Sequence, residues 1–402
     1  MPRLSLRIRA AVPVMLRSRK MQTASTEVVR HINRRIVLNL IRTRQPLSRA
    51  ELARISGMQR STISLIVEDL IAGEWVLEGG QSHLPRGRRP TSLRLNEDRV
   101  IIGVDVRPIH TTLALGDVNG HFISREVFDT PREPSAAVAE LVRRIRVMQA
   151  ACHGKKIQGV GISLPGRVNP ATNRLVFSPN LAWQDADLAG PIAAATGLEV
   201  ELDNAANACA LAEAWFSRGE VCRNLVVVTV SEGIGTGILI DGELPRGLNG
   251  MAGEFGHVPV DPAGPLCGCG SHGCWEVFAS NRAALRYYGE SAAPLLFTDL
   301  LRLAEEGDAR AGAALEEMGR HLGQGMRLIV AGLAPERIVI IGDLTRSWSR
   351  IGPMIEEGVR AQVLRGGRAP ELVPAHEDGL ARLRGTVVLV LQKHFGASGH
   401  TL

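Results

Sequence analysis

Between residues 29 and 41 apolar side chains return every three or four positions, at Val29, Ile32, Ile36, Val37, Leu40 and Ile41, which is the period of a helix. The stretch "SRAE" opens a second helix: Ser48 is placed to cap the first turn and Glu51, three residues on, to answer it in a capping box. Gly57 ends that helix, and a third begins near Arg60. Along the third, Ile63, Ile66, Val67, Leu70 and Ile71 fall on one face, leaving Gln59, Arg60, Ser61, Thr62 and Ser64 on the other. Helix, short helix, glycine turn, helix is the plan of a helix-turn-helix, whose last helix enters the major groove of DNA. The segments "EWVLEGG" and "TSLRLN" then predict two short strands around "QSHLPRGRRP", a wing with Arg86, Arg88 and Arg89 at its tip, suited to the negative potential of a narrow minor groove. Ser48, Arg49, Gln59, Arg60, Ser61, Thr62, Ser64 and the three wing arginines are the candidate DNA contacts.

From Val100 the period shifts to strands. "VIIGVDV", "HTTLALGDVNG" and "HFISREVF" predict a three-stranded meander, and "NLVVVTVSEGIGTGILIDGELPRG" repeats the rhythm with a strand, a Gly-rich turn and a second strand. Two such units, each followed by helical and further strand segments, imply a duplicated α/β body with a cleft between its lobes. Near the C-terminus "TVVLVLQ" favours strand by its β-branched residues. "DARAGAALEEMGRHLGQGMRLIVAGL" is a helix suited to lobe or dimer packing.

Length and composition fit this plan. The 402 residues suffice for two or three domains, and 45% hydrophobic with 22% charged residues is ordinary for a soluble protein. No apolar run approaches the roughly 20 residues of a membrane span. The N-terminal "MPRLSLRIRAAVPVMLRSRK" is broken by Arg7 and Arg9, which argues against a signal peptide and for a disordered basic arm on a cytoplasmic protein, or for extra sequence ahead of a start at Met21. Charge divides the chain: residues 1–99 carry 19 Lys and Arg against 8 Asp and Glu, whereas the remainder is acidic. A basic first quarter on an acidic body is the footprint of a nucleic-acid-binding unit joined to something else. Of six cysteines, three cluster with a histidine in "EFGHVPVDPAGPLCGCGSHGCWE". His257, Cys267, Cys269 and Cys274 form a tetrahedral ligand set for Zn²⁺ with all four positions filled by protein, so the metal is structural rather than catalytic.

The stretch "EGIGTGILIDGELPRGLNGMAGEFGHVPVDPAGPLCGCGSHGCWEVFAS" closely resembles the signature of the ROK family (repressor, open reading frame, kinase). "GVGISLPGRVNPATNRLVFSPNLAW" and "DNAANACALAEAWF" are similar to its sugar-pocket segments, and the winged helix-turn-helix resembles that of its xylose and N-acetylglucosamine repressor branch. The resemblance runs from about residue 27 to the C-terminus. It implies an actin-like (ribonuclease H-like) two-lobed sugar-kinase fold behind the DNA-binding domain, with a closing helix where "TVVLVLQ" stands. It further implies that Glu254, His257 and Glu276 face a sugar, with His257 on zinc through one ring nitrogen and on the sugar through the other. Asn180, Asn204 and Gly166 are expected in the same pocket. Three departures separate the chain from the family's kinases. The phosphate-binding turn Asp-x-Gly-Gly-Thr is replaced by Asp105-Val106-Arg107-Pro108-Ile109, and Asp343 follows Gly342 where paired glycines are usual. The aspartate that deprotonates the sugar hydroxyl is replaced by Ala205.

The expected organisation is therefore a basic arm over 1–26, a winged helix-turn-helix over 27–96, a first α/β lobe over 97–215 and a second, zinc-bearing lobe over 216–402, whose last helix may return to the first lobe. The expected function is a non-enzymatic, sugar-responsive repressor of carbohydrate-metabolism genes. Its partners would be a double-stranded DNA operator, a sugar or sugar-phosphate effector and a second or fourth copy of itself. A residual ATP-dependent sugar kinase, a regulator controlled by a sugar-transport protein, and an activator in place of a repressor stand as alternatives.

Overall fold

The computed structural model describes residues 26–81, 91–216, 222–289, 294–361, 367–375 and 380–395. The basic arm, apart from its last residue, and Arg86, Arg88 and Arg89 lie outside them. The first three helices are α1 (Thr26–Arg44), α2 (Arg49–Ser56) and α3 (Arg60–Ala72), followed by the antiparallel hairpin of β1 (Val76–Gln81) and β2 (Thr91–Leu95). The capping box forms as its spacing requires: the Ser48 hydroxyl accepts from the Glu51 amide at 3.3 Å, and the Glu51 carboxylate accepts from the Ser48 amide at 2.8 Å. Gly57 ends α2 in the left-handed conformation, φ 71°.

The face that α1 buries differs from the one its period suggests. Val37, Leu38 and Ile41 are fully buried with Leu52, Ile63, Val67, Leu70 and Leu93, whereas Val29, Ile32 and Ile36 are exposed. The 19-residue α1 outruns the 13-residue α3, and its early turns meet α3 through ion pairs of Arg30 and Arg34 with Asp69 (3.9 and 3.0 Å) rather than through apolar packing.

The body is built on two sheets. The first is laid down by β3 (Arg99–Val106), β4 (His110–Asp117) and β5 (Phe122–Asp129) as an antiparallel meander. Helix α4 (Pro134–Ala151) leads to β6 (Lys156–Leu164), parallel to β3. A small antiparallel sheet of β7 (Arg167–Asn169), β8 (Arg174–Ser178) and β9 (Trp183–Ala186) follows. Then α5 (Ala189–Thr196), β10 (Val200–Asn204) and α6 (Ala205–Phe216) give a sheet ordered β10-β6-β3-β4-β5.

The second sheet opens with the antiparallel pair β11 (Leu225–Val230) and β12 (Ile234–Leu239). After helices α7 (Glu276–Ala279), α8 (Asn281–Tyr288), α9 (Phe297–Glu305) and α10 (Ala309–Leu333) comes β13 (Arg337–Ile341), parallel to β11. Helix α11 (Trp348–Arg360), β14 (Glu371–Pro374) and α12 (Ala381–Phe395) complete the chain, with strand order β12-β11-β13-β14. The duplicated rhythm is thus real, although the second meander has two antiparallel strands to the first one's three among the described residues. "TVVLVLQ" is helical within α12, where tertiary burial outweighs the strand preference of its β-branched residues. The helix lies against the first sheet, a side chain at Gly161 being barred by the Thr386 carbonyl, and backs onto α6, where Gly385 meets the Ala208 carbonyl.

Candidate functional site

Beyond β12 the chain enters a loop pinned by isolated bridges between Pro259 and Cys274 and between Leu266 and His272. Cys267 closes a tight turn, donating its amide to Ser271 and accepting from Gly270 at 3.0 Å. This folding brings the ligand atoms of His257, Cys267, Cys269 and Cys274 within 4.8 Å of one another. The Cys269 and Cys274 sulfurs are 3.7 Å apart, and His257 Nδ1 is 3.6 Å from the Cys267 sulfur. A tetrahedron with metal–sulfur bonds of ~2.3 Å has sulfur–sulfur edges of about 3.8 Å, so the four residues fit a metal ion. Burial pushes the Cys267 and Cys274 thiols up from their ordinary value, and a divalent cation held there would supply the charge that converts them to thiolates. Behind the cluster, Glu276 Oε1 accepts from the Cys267 thiol at 3.0 Å while Glu276 Oε2 accepts from the Ile234 amide at 3.4 Å. One carboxylate therefore joins the cluster to the Gly-rich turn of the second sheet.

His257 presents Nδ1 to the cluster and Nε2 to Glu254, 3.9 Å away, on the wall of a cavity of about 460 Å³. Gly166, Asn180, Asn204, Glu254, His257 and Glu276 all line this one cavity, although they come from both lobes. Burial raises the Glu254 carboxyl above its usual range, against the opposing charges of His257 and Arg167. Gly166 is obligatory: it sits at φ 110°, where a side chain would strike the Phe177 carbonyl. Asn204 works partly on the backbone, donating to the Gly166 carbonyl at 2.6 Å and accepting from the Ala206 amide at 2.7 Å. Sequence reasoning missed Trp183, Gln184, Arg282 and Arg382, which also line the cavity. The two arginines are a hundred residues apart, and nothing in the spacing could bring them together.

The structure also places the three departures from the family's kinases that the resemblance marked. Ala205 lines the cavity as the first residue of α6. Asp105, at the end of β3, is buried and engaged by Ser163 at 2.8 Å and by Arg107 at 2.7 Å. Asp343 begins a short 3-10 turn after Gly342.

On the head, α3 turns Arg60, Ser61 and Leu65 to solvent, with Thr62 and Ser64 half-buried and Gln59 exposed at its start. Leu65, 66% exposed, was not singled out by its apolar character, yet it shares the face of Ser61. Ser48 is spent largely on the cap, and Arg49 is paired with Glu78 at 2.8 Å and Glu68 at 3.6 Å.

Head and body share a core. Phe395, at the end of α12, meets the Trp75 and Trp215 rings edge-on, with centroids 5.5 and 5.3 Å away. Its carbonyl accepts from Arg35 Nε and Asn39 Nδ2, both at 3.2 Å, and Arg42 stacks over Trp215 while donating to that residue's carbonyl. Arg99 of β3 likewise stacks on Trp75 and donates to the Gly73 and Glu74 carbonyls. Helices α6 and α12, packed side by side, therefore start in the cavity with Ala205 and Arg382 and end beneath α1 with Trp215 and Phe395.

No helix of the described residues is long and apolar enough to cross a membrane. Residues 101–393 match the ROK family. The xylose repressor of Bacillus subtilis (strain 168) is 31% identical over 390 residues, covering 93% of this chain and 98% of the relative. The DNA-binding transcriptional dual regulator NagC of Escherichia coli (strain K12) is 26% identical over 362 residues, covering 86% of this chain and 89% of the relative. Among solved structures, a ROK family transcriptional regulator described as a homolog of the E. coli MLC protein superposes with a TM-score of 0.79 at 27% identity, over 92% of this chain and 97% of that one. A ROK family glucokinase from Streptomyces griseus, in complex with glucose and AMPPNP, gives a TM-score of 0.66 at 29% identity over 73% of this chain and 99% of that one. That glucokinase aligns with nearly all of its own length but leaves over a quarter of this chain unmatched, while the regulator spans almost the whole of it. On sequence and fold together, the chain belongs to the ROK family.

Proposed function

We propose that the protein is a sugar-responsive transcriptional repressor of carbohydrate-metabolism genes, with a kinase-like effector domain that has lost catalysis. The observation that carries this is the pair α6 and α12, which begin in the cavity and end in the core of the helix-turn-helix. A sugar held by Glu254, His257, Glu276 and Asn180 bridges the two lobes, and any lobe closure moves the starts of both helices. Their far ends carry Trp215 and Phe395 against α1, so the displacement reaches the head. For a switch, the sugar must bind the closed and open states with different affinity. Residues 27–96 form the DNA-binding unit, with Gln59, Arg60, Ser61, Thr62 and Ser64 on the side that enters the major groove and Arg86, Arg88 and Arg89 as further DNA contacts. The metal is Zn²⁺, given the three thiolates and one imidazole, and its work is to hold His257 and Glu276 against the sugar. The working form is a cytoplasmic homodimer or homotetramer, whose paired heads read a two-fold operator.

The test is fluorescence anisotropy of the purified protein on the DNA upstream of its own gene, at a stated salt concentration, with a panel of sugars and with ATP as control. Release by one sugar and none by ATP is the expected result. Specific binding that no sugar changes would transfer control to a protein partner.

A further inference from the structure

We infer that Leu65 reads the methyl group of a thymine on the floor of the major groove, and so fixes one base pair in each half of a two-fold operator. The inference rests on the DNA-binding function proposed for residues 27–96 and names a base contact within it. Leu65 is 66% exposed, the most exposed large apolar side chain among the described residues of the head. Its place on α3 is central. Ile63, Ile66, Val67 and Leu70 mark the buried face of the helix. At about 100° per residue Leu65 stands almost directly opposite them, with Ser61 one turn before it and Glu68 one turn after.

The charges around it set which half of α3 meets DNA. Arg60 and Ser61 are exposed at the start of the helix. The acids come later, and arginine meets each of them: Arg49 reaches Glu68 at 3.6 Å, and Arg34 and Arg30 reach Asp69 at 3.0 and 3.9 Å. The first half of α3 is therefore cationic and hydroxyl-bearing, while the carboxylates that would repel phosphate are drawn onto α1 and α2. The N-terminal turns of a recognition helix are the ones that reach base edges. Leu65, the sixth residue of α3, is the last outward side chain before the acids.

A leucine at that point discriminates in two ways. In the major groove guanine, adenine and cytosine offer polar acceptors and donors, and thymine alone adds a methyl group. An isobutyl group laid over the polar atoms strips their water and returns no hydrogen bond. Laid over the methyl, it takes apolar surface of both partners out of water. The hydroxyls of Ser61 and Ser64 can serve a phosphate or any base edge, so they select weakly. Leu65 both favours thymine and penalises its competitors.

The test is fluorescence anisotropy of the full chain on the DNA upstream of its own gene, with each thymine in turn replaced by deoxyuridine. That change deletes the methyl and leaves the hydrogen-bonding edge intact. At one symmetry-related pair of positions the replacement should weaken binding by about fourfold per methyl, and by roughly fifteenfold when both are changed. Leu65→Ala should bind the natural operator more weakly and lose that penalty, holding the thymine and deoxyuridine DNAs alike. Leu65→Met, which keeps an apolar reach, should retain most of it. Because the side chain is exposed and alanine suits a helix, neither substitution should lower the melting temperature. A deoxyuridine penalty that Leu65→Ala leaves intact, or no penalty at any thymine of a DNA that is bound specifically, overturns the inference. So does a smaller oligomer of Leu65→Ala in sedimentation, which would make Leu65 a protein contact. Absence of any sequence-specific binding would instead remove the DNA-binding function itself, and this inference with it.

Discussion

Replacing Phe395 by alanine tests the proposed link between cavity and head. The ring is 1% exposed and is held edge-on by Trp75 of the winged helix and Trp215 of α6. Deleting a buried phenyl ring costs about 3–5 kcal/mol, and the two aromatic pairs are part of that loss. The Phe395 carbonyl keeps its bonds from Arg35 and Asn39, so the head stays tethered while its apolar seat is lost. A loss of about 3 kcal/mol at this seat corresponds to a hundredfold or greater rise in local opening. Hydrogen exchange measures it: the amides of Val37 to Ile41 in α1 and those near Trp215 should exchange faster by that factor. Phe395→Leu, which retains part of the volume, should show a smaller rise. In the DNA assay, Phe395→Ala should blunt release by the effector more than it weakens DNA binding. Unchanged exchange in α1, alongside a lower melting temperature of the body, would refute the reasoning, since Phe395 would then stabilise its own lobe without gripping the head.

Three other outcomes follow from the same geometry. Removing metal with a chelator, or substituting the exposed ligand in Cys269→Ser, should take bound zinc from about one ion per chain to near zero by elemental analysis, lower the melting temperature and weaken sugar binding by freeing His257 and Glu276. Ala205→Asp should not raise sugar-dependent ADP release above that of the parent chain, because Asp105 is already engaged by Arg107 and Ser163; measurable turnover would show that phosphate binding survives. Burial lowers the His394 pKa, helped by Arg99, Arg34 and Lys393 and opposed by Glu199. His394 therefore holds a proton less readily in the folded chain than in the unfolded one, so the unfolded chain takes it up first as pH falls below its ordinary value of 6.5. Stability should therefore rise with pH through the mid-sixes and fall on acidification, a slope that His394→Gln should reduce in denaturant titrations at pH 5.5 and 7.5; equal slopes for both chains would show that another group carries it.

What the sequence disclosed depended on how local each signal was. The capping box, the Gly57 stop and the inward face of α3 depend on neighbours within one helical turn, and all three form as read. The metal cluster was legible for the same reason: thiols and an imidazole within 18 positions need one loop to converge, and the bridges at Pro259 and Leu266 provide it. The exposed half of α1 was not legible, because a helical period marks a face without saying how far a partner covers it. Val29, Ile32 and Ile36 keep the period past the end of the packing. Arg282 and Arg382 were beyond reach for a topological reason, since α12 returns from the second sheet to the first and brings Arg382 to the cavity that Arg282 of α8 also lines.

The Gly-rich turn shows why a surviving motif need not mean a surviving activity. A side chain at Gly237 would run into the Ala206 carbonyl, and one at Gly235 would press on Thr229 and Ala206. These glycines are therefore required by the seat of α6 against β12, whether or not any phosphate is bound. The first residue of α6 is Ala205, whose methyl offers no group that could take a proton. A chain with no use for phosphoryl transfer still needs α6 fixed at its cavity end, because the other end of the helix carries Trp215 to Arg42 of the DNA-binding head. The glycines are accounted for by the helix they seat, with no chemistry required of them.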